Sequence, residues 1–421
     1  MNKKLGLAVA GALLAASASA QAGITIPAGD WTVDIGGNVN AYYSYNKLEN
    51  NASGTAAGSA GSLVNSRAAA GLDNNQTTIT TGLLPAFLSV SGKSRQNDLD
   101  IGFTISMNPG ASTTQAGRQS AHQENRQAFL TFGDASWGTV KVGRDLGIFA
   151  STAILSDMTL LGVGAAGTNT AGTTTLGGIG FGYVYADWKA QVSYTSPNWN
   201  GFQFSAGVMQ PWNINSFGNG SDASVANRST SVPGFEAQAT YAWTGDVSGK
   251  VWAGLISQRV EDITSFTTNG STTTWGTNHG NETARGFDVG ANVNVGGLGL
   301  TAYWHDGKGL GTTGFLNQAF DANGKRRDSD GGYLQATYTL PTATKVGVAY
   351  GVSNLDRTST DRTANLDLLD KHSRVTVGVY HPLTKSLNLV AEYNRTEAES
   401  HKAGIKDAQN DNYSLGAILF F

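Results

Sequence analysis

The chain has 421 residues, a formal net charge of −3, 55 glycines against 8 prolines, and no cysteine. This balance gives no basis for nucleic-acid binding, and the missing cysteine excludes disulfide staples and thiolate metal sites. Abundant glycine with scarce proline suits strands joined by turns and loops, not a disordered polymer.

Residues 1–22 read as an export leader: Lys3 and Lys4, an apolar run over 5–16, then the small-residue sites Ala18-Ser19-Ala20 and Ala20-Gln21-Ala22. Cleavage is expected before Gly23, with the site one step earlier as the alternative. The apolar run is too short to cross a bilayer, and no later run approaches the roughly 18 residues a transmembrane helix needs. Losing Lys3 and Lys4 takes the charge from −3 to −5. Residues 23–421 are expected to form one domain.

From there the chain reads with period two, the geometry of a strand. The first strand is expected over 31–43, with Trp31, Val33, Ile35, Val39, Ala41 and Tyr43 on one face and Thr32, Asp34, Asn38 and Asn40 on the other. The next is expected around 84–91, weakened by Pro85, which cannot donate to a ladder. Further strands follow at 99–107, 126–132, 137–144, 181–194 and 202–210. The second half gives 234–243, 250–258, 285–295, 298–305, 333–340, 345–353, 373–380, 387–394 and 412–421. The connections alternate long and short, and aromatics such as Trp137, Trp243, Trp304 and Tyr350 gather near strand ends. Short turns on one rim and long loops on the other mark an all-β, transmembrane antiparallel β-barrel of about sixteen strands. Such a barrel is too wide for side chains to fill, so it encloses water unless a segment folds inward.

The last ten residues close this pattern, with Tyr413, Leu415, Ala417, Leu419 and Phe421 alternating against Asn412, Ser414 and Gly416. They resemble the C-terminal signature of outer-membrane barrel proteins, which implies that the barrel-assembly machinery reads Tyr413, Leu415, Leu419 and Phe421. Two further stretches carry a family likeness. Arg126-Gln127-Ala128-Phe129-Leu130-Thr131-Phe132-Gly133 with Gly138-Thr139-Val140-Lys141-Val142-Gly143-Arg144 resembles the fourth and fifth strands of general bacterial porins. The turn Ser196-Pro197-Asn198-Trp199-Asn200-Gly201 resembles the turn after that family's sixth strand. The resemblance implies a homotrimer in outer-membrane lipid, passing ions and small hydrophilic solutes, with the third outer loop folded inward as a constriction. Here that loop is expected over 146–178.

A constriction of this type works by field: opposed charges across a poorly screened waist orient dipolar solutes and bias ion choice. Asp157 is the one charge within 146–178 and is the expected acid, although Thr159-Leu160-Leu161 stands where the family carries a more acidic stretch. Leu155, Leu160 and Leu161 either anchor the loop to the wall or form an apolar lip. The expected bases are Lys141, Lys189 beside Asp187, and Arg374, all on luminal parity. Arg144 sits where the family has an arginine, yet alternation points it outward, so both placements stand.

The rival of another class is a barrel enzyme, which needs a fixed triad. The six histidines, at 122, 279, 305, 372, 381 and 401, lie almost all at loops or strand ends without an adjacent nucleophile. No metal or other cofactor is implied, because no His or carboxylate cluster has ligand spacing. The nearer rival is a substrate-specific channel of 16–18 strands taking up a sugar or a carboxylic acid. An aromatic slide or a basic ladder would mark it, and luminal parity carries mostly Asn, Gln, Thr, Gly and scattered charges.

Overall fold

A computed structural model describes residues 23–49, 61–64, 75–111, 123–166, 174–214, 224–269, 272–404 and 406–421. Residues 1–22, the expected leader, lie outside the described residues, as does His122. Sixteen antiparallel strands close into one barrel. They are β1 (Trp31–Leu48), β2 (Phe87–Gln96), β3 (Leu99–Pro109), β4 (Gln123–Asp134), β5 (Gly138–Leu146), β6 (Trp188–Thr195), β7 (Phe202–Met209) and β8 (Gly234–Trp243). The second half comprises β9 (Val247–Asn269), β10 (Glu282–Val295), β11 (Leu298–Lys308), β12 (Asp328–Thr339), β13 (Lys345–Leu355), β14 (Leu369–Pro382), β15 (Leu387–Ser400) and β16 (Ala408–Phe420).

Each strand pairs with its sequence neighbours, and β16 closes on β1 from Asn38↔Phe420 to Leu48↔Asn410. Phe421 extends the closure: its amide donates to the Gly37 carbonyl at 3.1 Å, and the Gly37 amide donates to the Phe421 carbonyl at 2.9 Å. The short strand Ile24–Ala28 pairs with the start of β1, from Ile24↔Ile35 to Ala28↔Trp31. The ladder therefore leaves no open edge at the seam, which is what a spanning sheet requires in hydrocarbon.

Alternation sorts the two faces. Tyr413, Leu415 and Leu419 point outward at 52%, 64% and 42% exposure, while Asn412, Ser414, Ile418 and Phe420 are buried toward the inside. Val39, Leu334, Val289, Phe287 and Trp304 extend the outward apolar surface around the ring. On a soluble protein so broad an apolar belt would drive aggregation; on a barrel it is the lipid contact.

Two expected strands move, and several extend, the strand expected at 250–258 furthest. The strand expected around 84–91 begins at Phe87, and its upper part is a separate strand, Asn75–Thr80, which also pairs with β1. Between them residues 81–86 turn into the lumen, where the missing amide of Pro85 costs no ladder bond. The strand expected over 181–194 begins at Trp188, because Asp187 is left-handed (φ 55°) and ends the alternation. β9 runs to Asn269 and pairs at its outer end with Val225–Ser229 and Thr272–Asn278. That extension is rich in Thr, Ser and Asn on both faces, so alternation gave no sign of it.

Candidate pore constriction

The loop after β5, described over 147–166 and 174–187, folds inward before the chain rejoins the wall at β6. Irregular backbone inside a barrel must find partners for its amides and carbonyls. The luminal polar residues of the wall supply them. Left-handed Ala150 (φ 60°) starts the short helix α1 (Ser151–Ser156), and a 3-10 turn follows at Met158–Leu161. The Glu236 carboxylate accepts from the Ile148 and Phe149 amides at 2.6 and 2.9 Å, and Asp288 accepts from Ala150 at 3.1 Å. The Tyr333 hydroxyl donates to the Ala153 carbonyl at 2.8 Å, and Gln335 both accepts from Met158 and donates to Ser156. Glu392 accepts from the Val163 and Gly164 amides at 3.0 and 2.8 Å. The loop is thereby tied along β8, β10, β12 and β15.

Asp157 is one of these ties. Its Oδ1 accepts from the Thr159 amide and hydroxyl at 2.9 and 2.8 Å, capping the 3-10 turn. Its Oδ2 accepts from the Tyr183 hydroxyl at 2.8 Å and faces the Arg374 guanidinium at 3.3 Å. Burial holds the Tyr183 phenol well above its ordinary pKa, so it stays a donor. Both side chains of the Asp157–Arg374 pair are 1% exposed. The expected acid of the waist is therefore paired with the expected base and closed off from solvent. Lys189 is withdrawn in the same way: it pairs with Glu236 and lies 5.2 and 5.6 Å from the rings of Trp212 and Phe315.

The loop leucines pack toward the wall. Leu160 is 7% exposed and joins Leu83, Leu84 and Phe87 in one cluster, with Leu155 and Leu161 half-buried against it. The partner surface is the inward turn 81–86. The Leu83 amide donates to the Gly162 carbonyl at 2.9 Å, and Asn38 and Asn40 of β1 donate to the Pro85 and Leu84 carbonyls. Two inward segments thus lock together on one side of the barrel.

A cavity of about 710 Å³ remains along the luminal face of β1–β7. Ser, Thr, Asn and Gln form the largest share of its lining, with Lys93, Arg95 and Lys141 set among Asp30, Asp34, Asp100 and Asp134. Lys141 pairs with Asp145 and lies 4.9 Å from the Phe129 ring, and Gln127 donates to the same Asp145 at 2.9 Å. Toward the short-turn rim, Lys93 meets Asp34 at 3.3 Å, and Arg95 bridges Asp100 and Asp134 at 2.8 and 3.0 Å. Arg144 is exposed and pairs with Ala128 and Ala190, whose side chains are also exposed, so it takes the outward placement. Asp187 lies outside the strand; its carboxylate accepts from the Trp188 amide at 2.6 Å, and burial raises its pKa.

A family model for Gram-negative porins matches residues 6–401. The chain belongs to the Gram-negative porin family. Solved structures agree in fold: this porin is similar to the outer membrane channel DcaP of Acinetobacter baumannii, with TM-score 0.66, 18% identity, and 95% of this chain and 100% of that one covered. It is also similar to OmpF of Salmonella typhi in complex with daunomycin, at TM-score 0.54, 14% identity, 93% and 100%. A third likeness is the trimer form of the outer membrane protein OmpT of Vibrio cholerae, at TM-score 0.54, 15% identity, 93% and 99%. No protein in the curated set matches the chain. This porin is a channel of the outer membrane, and its inward loop is nine residues longer at the far end than the expected 146–178.

Of the expected charges, Lys141 alone lines the open cavity of this porin; Lys189, Arg374 and Asp157 hold the loop. The residues that alternation did not single out are the anchoring carboxylates Glu236, Asp288 and Glu392, and Arg126, which pairs with Glu124 at 2.7 Å beside the Trp188 ring. A signal was present: each of the three carboxylates is the one charge on luminal parity within its expected span, 234–243, 285–295 or 387–394.

Proposed function

We propose that this porin is a general passive pore for ions and small hydrophilic solutes, assembled as a homotrimer and exported by a cleaved leader at 1–22. The carrying observation is the cavity along β1–β7, whose lining mixes small polar side chains and charges of both signs with the rings of Phe87, Phe103, Phe129 and Trp188. Such a wall makes weak, replaceable contacts with any small polar solute and offers no ladder of one sign. That favours breadth over a single sugar or carboxylic acid. The trimer follows the form described for Vibrio OmpT.

No catalytic role is assigned. His372 accepts the Leu63 amide at 3.0 Å, His381 meets the Thr344 hydroxyl at 2.9 Å, and His401 sits between Asp370 and the Leu355 carbonyl. His372 and His401 meet backbone groups and a carboxylate, and His381 meets Thr344 beside a short turn.

The test is purified protein in a planar bilayer under a salt gradient, with solute flux measured in parallel. Stepwise ohmic conductance, a modest reversal potential and non-saturating flux are expected. A tight seal at all voltages ends the pore reading, and saturable flux for one solute class would favour the specific channel.

A further inference from the structure

The outer loop between β11 and β12, residues 309–327, behaves unlike a solvated surface loop. Every residue from 309 to 321 is buried, and the stretch 309–320, Gly-Leu-Gly-Thr-Thr-Gly-Phe-Leu-Asn-Gln-Ala-Phe, carries no charge. Leu310, Phe315, Leu316 and Phe320 pack with Phe149, Val184, Ile256 and Val260, so the loop shares an apolar core with the constriction loop and the luminal face of β9. A barrel lumen lined only by water would hold no such core. The two loops are also joined by backbone, because the Tyr185 amide donates to the Thr313 carbonyl at 2.7 Å.

One ion pair fixes the base of this loop. Arg327 donates from Nε and Nη2 to the two Asp361 oxygens at 2.8 and 2.6 Å, with side chains 1% and 2% exposed. Its Nη1 donates to the Gln318 carbonyl at 3.1 Å, so the same guanidinium grips the inserted stretch itself. Thr358 completes the contact, donating from its amide to Asp361 at 3.0 Å and from its hydroxyl to Asp321 at 2.7 Å. A forked guanidinium on a buried carboxylate fixes orientation as well as distance. The left-handed backbone at Leu316 (φ 67°) and Gln318 (φ 59°) persists only because the surroundings hold it.

We propose that residues 309–327 form a second, fixed size-selecting element of this channel, kept in the lumen by Arg327–Asp361. The loop fills the outer lumen over β8–β12 and confines solutes to the wall of β1–β7. This inference rests on the reading of the protein as a pore. It differs from that reading in locating the size limit in two loops.

The test compares single-channel conductance and the exclusion limit for polyethylene glycols in wild type and two variants. One variant replaces 310–320 with a short Gly/Ser linker. The other is Arg327→Ala with Asp361→Ala, which leaves neither charge buried alone. The linker variant is expected to raise conductance about 1.5-fold or more and to admit larger glycols, because pore cross-section sets both. The double variant is expected to add transient steps toward that higher level. An inserted linker variant with wild-type conductance and exclusion limit overturns the proposal. Where the linker variant fails to insert, a quiet wild-type trace from the double variant overturns it instead. A wild-type protein that never conducts refutes the pore reading itself.

Discussion

Asp157→Asn separates an anchor from a selectivity charge. In the folded protein this carboxylate accepts three hydrogen bonds, from the Thr159 amide, the Thr159 hydroxyl and the Tyr183 hydroxyl, and compensates Arg374 at 3.3 Å. Removing one member of a buried pair leaves the other uncompensated and costs about 3–5 kcal/mol. At about 1.4 kcal/mol per decade, that shifts the bound-to-released ratio of the inward loop by roughly two to three and a half decades. The ties from Glu236, Gln335 and Glu392 remain, so the loop is expected to loosen around 157–161 while staying attached at its ends. In a planar bilayer this reads as a noisier open channel with excursions to higher conductance. Replacing the pair together, Asp157→Leu with Arg374→Met, should quieten the trace again, since a buried pair exchanged for apolar residues is often neutral. Wild-type noise and conductance in Asp157→Asn, with a shifted reversal potential, would refute the anchor and restore Asp157 as a pore-facing charge.

Lys141→Gln acts on the open route: it leaves Asp145 with Gln127 as its remaining bonded side chain, so the cation-to-anion permeability ratio should rise by reversal potential. The Arg327–Asp361 pair should respond to acid. Burial alone would raise the Asp361 pKa, but the hydrogen bonds and charge of Arg327 outweigh it and hold the carboxyl below the ordinary aspartate value. A depressed pKa contributes stability that is fully present above the unfolded value and is lost as pH falls through the folded one. Channel noise should therefore stay flat down to about pH 4 and grow below it; growth already near pH 6 would assign the effect to another group. Deleting Phe421 removes the two backbone bonds to Gly37 at the seam and the last residue of the C-terminal signature. The exported amount should hold while the heat-modifiable, inserted fraction falls several-fold, and normal insertion would discount the terminal residue.

The alternation of side chains, the long and short connections and the apolar end at 412–421 were legible in the sequence because lipid and water act on every second residue locally. That much implied a membrane barrel of about sixteen strands, and closure of the ring sets the number at sixteen. The same rule assigned Lys141, Lys189 and Arg374 to the inner face; Lys189 and Arg374 are buried, and Lys141 lines the cavity. It could not say whether an inward side chain meets water or another part of the chain. Asp157 and Arg374 are 217 residues apart and meet only because the loop folds into the closed ring; Lys189 and Glu236 are 47 apart and meet through the pairing of β6, β7 and β8. The break at 81–86 and the buried run 309–321 were equally hidden. A short apolar stretch between strands reads alike whether it stays in solvent or folds onto the constriction loop. Tertiary structure decided that, because the energy of a buried charge or an inserted leucine depends on what has been brought against it.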